Sequence, residues 1–377
     1  MIETTVFGRF IIEVAMYFGL YVIISMALNF QYGNAGIPNM GCAVSVAIGG
    51  YVVSGIILKI MFWIGQNFGI YIAPDWVYDN PSNVEKMDFF FRDHFPLSIA
   101  IFLLSISLGL VIGAILGYLM SLPAIRLRAT YLMITFITMA DASQIIGRNY
   151  IPISGGTIGV FLPNLFSWHK GNRSLLLAII TLIIGLLCFF TIRLMLNSPY
   201  GRLMRALREN EVTLGSVGKN ITDIRRNILM FASGITSVAG VLVAYYFSYS
   251  VESNYRRIAW TYWPWLMLMI GGPGNNAGTF LGCALIIAIR RLIIVNKWLF
   301  DKFIFYPLPF FEQQLLGLML ILVLIFRPKG LIPEKLLYIP GINYRQLVKE
   351  DIKVDWRKAP KTRSGGRRFN LFGRKKK

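Results

Sequence analysis

Few side chains in this sequence could carry out covalent chemistry. The cysteines and histidines number five in all: Cys42, Cys188, Cys283, His94 and His169. None of them has the spacing of a metal site, a disulfide framework or a Cys–His nucleophile pair. The nearest match to a phosphate-binding loop is Gly215 to Asn220, which has the wrong spacing and lacks the Ser or Thr that binds Mg²⁺. We therefore expect no enzyme activity, no cofactor and no metal.

The composition is that of a membrane protein. Of the 377 residues, 55% are hydrophobic and 15% are charged, and the mean hydropathy is +0.58. A helix needs about 20 apolar residues to cross a bilayer. The sequence predicts an all-α fold, a polytopic transmembrane bundle of about 8 to 10 spans, within residues 1–340. The apolar runs are 10–30, 98–121, 129–147, 174–197, 227–250, 260–271 (short), 277–296 and 313–326.

Charged residues are scarce within these runs. Asp141 is an acid inside a span, but it lies close to the outer end, which favours a solvated carboxylate over a functional one. A proton-coupled or ion-coupled carrier therefore has few groups to use. If the protein moves a solute uphill, we expect the energy to come from another subunit.

The uneven distribution of charge indicates which side each loop occupies. The net charge is +20, and residues 327–377 hold sixteen Lys or Arg against four acids. A basic stretch beside a last span is typical of the cytoplasmic side and of contact with anionic lipid, so we expect no nucleic-acid partner. We interpret 341–377 as a basic cytoplasmic tail. The stretch 62–97 has five acids against two basic residues, which predicts an aromatic external loop.

The densest polar stretch is Ser198 to Arg226, which lies between two apolar runs and which we call the island. Ser198 can cap a helix, and Pro199 suits the first helical position. Apolar residues at helical spacing predict one amphipathic helix that ends near Gly215 and Gly218: Leu203, Ala206, Leu207, Leu214 and Val217. We expect this helix to lie outside the membrane, where it contacts either lipid headgroups or a partner protein.

Small residues interrupt or line several of the apolar runs. Gly109, Gly113 and Gly117 recur at every fourth position, which predicts a face for close helix packing. The stretches Gln31 to Gly55 and Gly271 to Ile289 are rich in glycine and share an Asn-Ala-Gly…Gly-Cys-Ala pattern. The first of the two, Gln31 to Gly55, is either a broken helix on a transport path or a close helix contact. Their similarity allows two pseudo-symmetric halves.

Together these segments resemble the permease subunits of ABC importers, in particular the LivM type of branched-chain amino acid transporter. The coupling segment of that family is matched in the island by Gly201, Arg202, Ala206, Arg208, Glu209, Glu211 and Gly218. Leu214 stands where the family usually has Ala, and Arg225 where it has Lys. Further motifs match in the family's order: LNFQYGNAGIPNMG, LPAIRLRATYLMITFIT, SGGTIGV, MIGGPGNNAG and FRPKGL.

The resemblance implies a permease of the cytoplasmic membrane that pairs with a second, related permease. Two cytoplasmic ATPases would dock on 198–226, and an extracytoplasmic binding protein would deliver a hydrophobic amino acid or a related small polar solute. The docking helix would present arginines and acids to headgroups or to a groove rim: Arg202, Arg205, Arg208, Glu209 and Glu211. Leu214 would make the docking face bulkier than the family's alanine does.

The glycine-rich breaks are the expected lining of the translocation path in this interpretation. Their candidate residues are Gly33, Gly36, Gly41, Gly271, Gly272, Gly274 and Gly278. The alternative function is a secondary carrier or a channel in which 198–226 is a gating loop. Copurification of an ATPase and dependence of transport on ATP distinguish the two.

Overall fold

The computed structural model describes residues 6–169, 171–295, 308–327 and 330–334, and these are predominantly helical. The predicted basic tail at 341–377 lies outside the described residues. The helices are α1 (Val6–Leu28), α2 (Cys42–Tyr51), α3 (Leu58–Asn67), α4 (Asn80–Asp93), α5 (Phe95–Arg126), α6 (Ala129–Asn149), α7 (Ile151–Ser154), α8 (Arg173–Asn197), α9 (Pro199–Glu209), α10 (Glu211–Ser216), α11 (Ile221–Phe247), α12 (Trp263–Gly271), α13 (Asn276–Val295) and α14 (Leu308–Phe326).

Irregular turns adjoin several of these helices. The three π-helical turns, which extend α1, join α2 to α3 and precede α12, are Asn29–Gly33, Val52–Ile57 and Ile258–Tyr262. A short 3₁₀ turn covers Glu252–Tyr255. The two-residue strands β1 (Val160–Phe161) and β2 (Tyr249–Ser250) form one antiparallel pair.

Within the described part of the chain, seven helical stretches are long and apolar enough to cross a membrane. They are Gly8–Gly33, Cys42–Asn67, Phe95–Arg126, Ala129–Asn149, Arg173–Asn197, Ile221–Phe247 and Asn276–Val295. The predicted polytopic helical bundle is therefore confirmed. At least one of the shorter apolar helices, α12 or α14, must also cross the membrane if the predicted range of 8 to 10 spans is to be reached.

Helix α11 is the centre of the bundle, and α5 packs along it. A Cβ atom at Gly113 would lie 2.4 Å from the Cβ of Ser237, and one at Gly117 would lie 2.5 Å from the carbonyl oxygen of Leu229. Real Cβ atoms do not approach other atoms this closely, so the two helices meet only because α5 has glycine at these positions. The packing face predicted from the glycine spacing is confirmed.

The first helix runs toward the island. Glu13, near the start of α1, pairs with Arg291 near the end of α13, with 2.9 Å between carboxylate and guanidinium. Beyond the other end of α1, the carbonyl of Gly33 accepts a hydrogen bond from Arg208 of the island. The start of α1 therefore lies on the side opposite the island, a question that the sequence left open.

The stretch 62–97 is not a plain loop as predicted. Helix α3 extends to Asn67, and α4 occupies fourteen residues of it. On α4, Val84, Met87 and Phe91 are buried at helical spacing, so three of the five acids that indicated a loop lie on an amphipathic helix. Asn80 holds this layer to β1, because its side chain accepts a hydrogen bond from Phe161 N at 2.7 Å.

Asp141 has a structural partner. Its carboxylate lies 2.9 Å from Arg257 Nε, and about 44% of its side chain is exposed. The solvated role expected from its place in the span agrees with this geometry.

Candidate functional site: the island and the helix breaks

The island folds as two helices, not as the one that was predicted. Ser198 Oγ accepts a hydrogen bond from Tyr200 N at 3.2 Å, and Pro199 is the first residue of α9, as expected. The chain then turns extended at Asn210, whose side chain accepts from Thr213 N at 3.1 Å and caps α10. Asparagine is among the best helix caps. Asn210 is therefore a local sequence signal for the start of a second helix, which the apolar spacing alone did not reveal.

One face of the island packs against the body of the protein. A Cβ at Gly201 would lie 2.1 Å from the carbonyl oxygen of Leu196, so α9 can fold back on α8 only with glycine there. Met204, Leu207 and Leu214 are buried on this face, and Ala206 is partly buried.

Two hydrophobic side chains of the island do not lie where they were expected. Leu214 is buried within its own chain, which corrects the expectation that it enlarges a docking face. Val217 was placed on the apolar stripe, but it is 72% exposed. The break at Asn210 accounts for Val217, because a change of direction there shifts the faces of the residues that follow. Leu214 stays on the same face as Leu207, and that face packs against the body of the protein.

Tyr200 adds a polar contact on the inner face. Burial raises the pKa of its phenol to about 12, so the hydroxyl stays protonated at neutral pH. It points at the carbonyl oxygen of Ile224 from 3.5 Å. The start of α9 is thereby held beside the start of α11.

The opposite face of the island is open to solvent. Arg202, Glu209 and Val212 are exposed, and Val212 has 79% of its surface accessible. Gly218 ends α10 with a positive φ of 77°, and no atom lies within 4 Å of where its Cβ would be. A partner could therefore approach this face without displacing any part of the described chain.

Arg205 and Arg208 do not reach outward as the resemblance implied. Arg205 Nη2 donates to the carbonyl oxygen of Leu196 at 3.2 Å. Arg208 Nη1 donates to the carbonyl oxygen of Gly33, and its Nη2 lies 2.7 Å from Glu334 Oε2. Of the three arginines expected at a partner's surface, only Arg202 faces outward.

Glu211 also finds a partner inside the chain, since it pairs with Arg225. Arg225 in turn donates to the carbonyl oxygen of Ala124, at the end of α5, at 2.9 Å. The start of α10 is therefore tied to α5 and α11, and about 48% of the Glu211 side chain remains exposed.

The two glycine-rich breaks meet each other. The side chain of Asn29 accepts from Gly274 N at 2.8 Å and donates to Asn276 Oδ1 at 2.8 Å. A Cβ at Gly33 would lie 2.4 Å from Gly274 N. Of the two roles left open for the first stretch, the structure shows the close contact directly.

The segment after α14 closes over the second break. Leu331 N donates to the carbonyl oxygen of Ile270 at 2.7 Å, and Ile332 N donates to that of Gly271 at 3.1 Å. A Cβ at Gly330 would lie 2.3 Å from the Cα of Gly272. Gly330 and Leu331, the last two residues of the closing motif FRPKGL, therefore lie directly against the backbone of the second break, and Glu334, three residues later, lies beside Arg208.

We call Asn29, Gly33, Arg208, Gly274 and Glu334 the junction. It joins the end of α1, the end of α9, the turn between α12 and α13, and the segment after α14. Sequence reasoning missed Asn29 and Glu334. A signal existed for Asn29, which is a fully buried polar residue at the end of a long apolar span, but none existed for Glu334, which is 126 residues from its partner.

The other glycines expected to line the translocation path lie at several different places. Gly271 and Gly278 pack on each other, and a Cβ at Gly271 would lie 2.3 Å from the carbonyl oxygen of Gly278. Gly41 lies apart, against Phe136. Gly36 borders a cavity of about 370 Å³ that Arg126 also lines.

Comparison with known proteins gives a consistent result. A sequence model of the family described as branched-chain amino acid transport system / permease component matches residues 10–324. A probable branched-chain amino acid transport permease protein LivM of Methanocaldococcus jannaschii is 32% identical over 333 residues, which cover 88% of this chain and 95% of that protein.

Two bacterial relatives are more distant. Both are named high-affinity branched-chain amino acid transport system permease protein LivM. The one from Salmonella typhimurium is 23% identical over 85% of this chain and 70% of its own length. The one from Escherichia coli is 24% identical over 59% of this chain and 55% of its own length. No solved structure matches significantly.

Proposed function

Because this chain belongs to the family of permease components of branched-chain amino acid transport systems, we propose that it is the membrane-spanning subunit of an ATP-driven importer. It is a transport permease and not an enzyme. In this proposal a cytoplasmic ATPase docks on the island and drives the transport cycle from outside the bilayer.

The observation that carries the proposal is the two-sided construction of the island. Its outer face, with Arg202, Glu209, Val212 and Gly218, is open to a partner. Its inner face is attached to the helix breaks through Arg208. A push on the outer face would therefore reach backbone that is already interrupted, where helices change direction at the lowest cost.

The proposed cycle is a population shift between two arrangements of the bundle. ATP binding would close the two ATPases and move the island, and the breaks at Gly33 and Gly274 would act as the hinges of the change. An ATPase can favour one arrangement only through contacts that differ between the two. The exposed face of the island is where we place those contacts.

The partners follow from this role. We propose a second, related permease beside this chain, two cytoplasmic ATPases and an extracytoplasmic binding protein. The cytoplasmic membrane is the proposed location, with the island and the tail at 341–377 on the cytoplasmic side, because the surplus of Lys and Arg beyond the last span favours that side. Anionic lipid is the proposed contact of the tail.

The proposed substrates are branched-chain or other hydrophobic amino acids, or a related small polar solute. The names of the relatives from M. jannaschii, S. typhimurium and E. coli support this class. We place the path beside the glycine breaks, near Gly33 to Gly41 and Gly271 to Gly278. Much of the specificity would belong to the binding protein.

A combined test uses the full chain in its native membrane. The tagged protein is purified gently and its companions are identified, and uptake of radiolabelled leucine is measured before and after ATP depletion and after collapse of the proton gradient. We expect ATPase subunits to copurify and uptake to stop when ATP is depleted. A preparation without ATPase, with uptake that survives ATP depletion, would instead identify a secondary carrier or channel gated by 198–226.

A further inference from the structure

Glu334 occupies a place that the function described so far does not explain. It follows the last described helix, far from the island in sequence, and yet its carboxylate lies 2.7 Å from Arg208 Nη2. We propose that Glu334 is a positioning residue for energy coupling: it holds Arg208 on the carbonyl of Gly33, so that motion of α9 reaches both helix breaks together. This inference rests on the proposed function, since it assumes that an ATPase moves the island.

The guanidinium of Arg208 makes contacts in two directions. Nη1 donates to the carbonyl oxygen of Gly33, the last residue of the π-helical turn that extends α1. Nη2 donates to Glu334, whose carboxylate lies beside Gly274 of the second break. A planar, always charged fork suits such a double contact, and a flexible lysine does not.

Glycines make the room for this contact. A Cβ at Gly274 would lie 2.9 Å from the Glu334 carboxylate, and one at Gly36 would lie 2.9 Å from Arg208 Cγ. Both glycines have a positive φ, +84° and +72°, which other residues rarely adopt. The backbone conformations of Gly36 and Gly274 therefore fit the observed positions of the Arg208 and Glu334 side chains.

The exposure of the pair argues against a role in folding stability alone. About 27% of the Arg208 side chain and 31% of the Glu334 side chain are accessible to solvent. Exposed ion pairs contribute little to folding stability, so removing this one should leave the fold intact. Its effect would be on which parts of the molecule move together.

Neighbouring ion pairs do not take this role. Glu211 pairs with Arg225, and Asp223 pairs with Arg226 within the same helix. Neither pair touches Gly33 or Gly274 by the contacts described above. Among the described residues of the island, Arg208 is the one that donates to the carbonyl of Gly33 and also pairs with Glu334, whose carboxylate lies beside Gly274.

The test measures transport per ATP hydrolysed in the complete transporter reconstituted in vesicles. Glu334→Gln keeps the size of the side chain and removes its charge. We expect it to lower the number of amino acids moved per ATP by about fivefold or more, while the ATPases copurify and hydrolyse ATP as before. Arg208→Gln should give at least the same loss, and Arg208→Lys should restore only part of it.

Two comparisons make the result specific. The double variant Arg208→Gln with Glu334→Gln should be no worse than Arg208→Gln alone, because both changes break one contact. Asp141→Asn breaks a similarly exposed ion pair, with Arg257, on the other side of the bundle and should leave the ratio unchanged. If Glu334→Gln does not accumulate, Glu334→Asp serves in the same assay.

These outcomes distinguish a failure of the positioning role of Glu334 from a failure of the importer proposal. An unchanged ratio in Glu334→Gln, additive losses in the double variant, or loss of ATPase from the purified variant would each overturn the positioning role and leave the importer proposal standing. Absence of ATPase from the unaltered protein would instead contradict the importer itself.

Discussion

Asn29 and Gly274 are joined by a hydrogen bond of 2.8 Å between the asparagine side chain and the glycine N–H. The two residues are 245 positions apart in the sequence. Asn29 begins the π-helical turn that leads into the first glycine-rich stretch, and Gly274 lies in the second. Asn29 also donates to Asn276, so a single buried amide connects the end of α1 to the turn before α13. The two glycine-rich stretches, which share a sequence pattern, are thus also close together in the structure.

Replacing Asn29 with alanine should destabilise the protein. The N–H of Gly274 would lose its partner in a partly buried site, whereas an unpaired donor in a fully buried one costs about 1–3 kcal/mol. We expect a lower melting temperature in detergent and reduced uptake. The matched control is Asn149→Ala, because Asn149 is exposed and its side chain bonds only to the carbonyl of Ile145 in its own helix. Equal melting temperatures for the two variants would contradict the role of Asn29.

Charge placed on the outer face of the island should block docking without harming the fold. Val212→Asp puts a carboxylate on a side chain that is 79% exposed, so insertion and melting should stay normal while the ATPases fail to copurify. Leu214→Ala is the reverse case, since Leu214 is buried. It should lower stability by about 2–5 kcal/mol, with docking retained in the molecules that fold.

The pair Glu209 and Gly218 gives a second test of the same face. Both residues are exposed, and the resemblance places them in the coupling segment. Replacing both with alanine should abolish ATP-coupled uptake and leave membrane insertion intact. Uptake measured in vesicles, with the amount of inserted protein as reference, decides the matter, and unchanged uptake would count against docking.

Glycine-to-alanine changes should separate packed from open helix faces. At Gly117 the new methyl would meet the carbonyl oxygen of Leu229 at 2.5 Å, so we expect a loss of about 1–3 kcal/mol and lower abundance. At Gly317 nothing lies within 4 Å, and alanine should be neutral or slightly stabilising because it favours helix. Thermal melting of the two purified variants provides the comparison.

Deletion of residues 341–377 should reduce abundance or lipid association more than transport per molecule. The reason is that these residues carry much of the basic surplus beyond the last span, which attracts anionic lipid. Binding to vesicles with and without phosphatidylglycerol, together with uptake per inserted molecule, measures both effects. Normal abundance with no turnover would show that the tail takes part in coupling.

The sequence predicted much of the fold because the relevant signals are local. Continuous apolar runs located six of the seven long spans of the described residues, all except Cys42–Asn67. Ser198 and Pro199 marked the start of α9, and the spacing of Gly113 and Gly117 marked the face that meets α11. Each of these depends on a few neighbouring residues, so no knowledge of the rest of the chain is needed.

The errors arose where distant residues decide the outcome. A polar arginine between two spans usually faces water or a partner, and only the position of Glu334 shows that Arg208 turns inward. The position of Val217 was wrong because one continuous helix was assumed across Asn210. Helix α4 was missed because its acids were given more weight than the buried spacing of Val84, Met87 and Phe91.

The length of α5 sets a dimension for the whole transporter. At 32 residues it is about 48 Å long, whereas the hydrocarbon core of a bilayer is about 30 Å thick. Its last turn holds Arg225 through the carbonyl of Ala124, so α5 is a rod on which the island rests at a fixed height. A thinner bilayer would leave more of that rod outside and lift the island farther from the lipid, which makes membrane thickness itself a variable in how an ATPase reaches the protein.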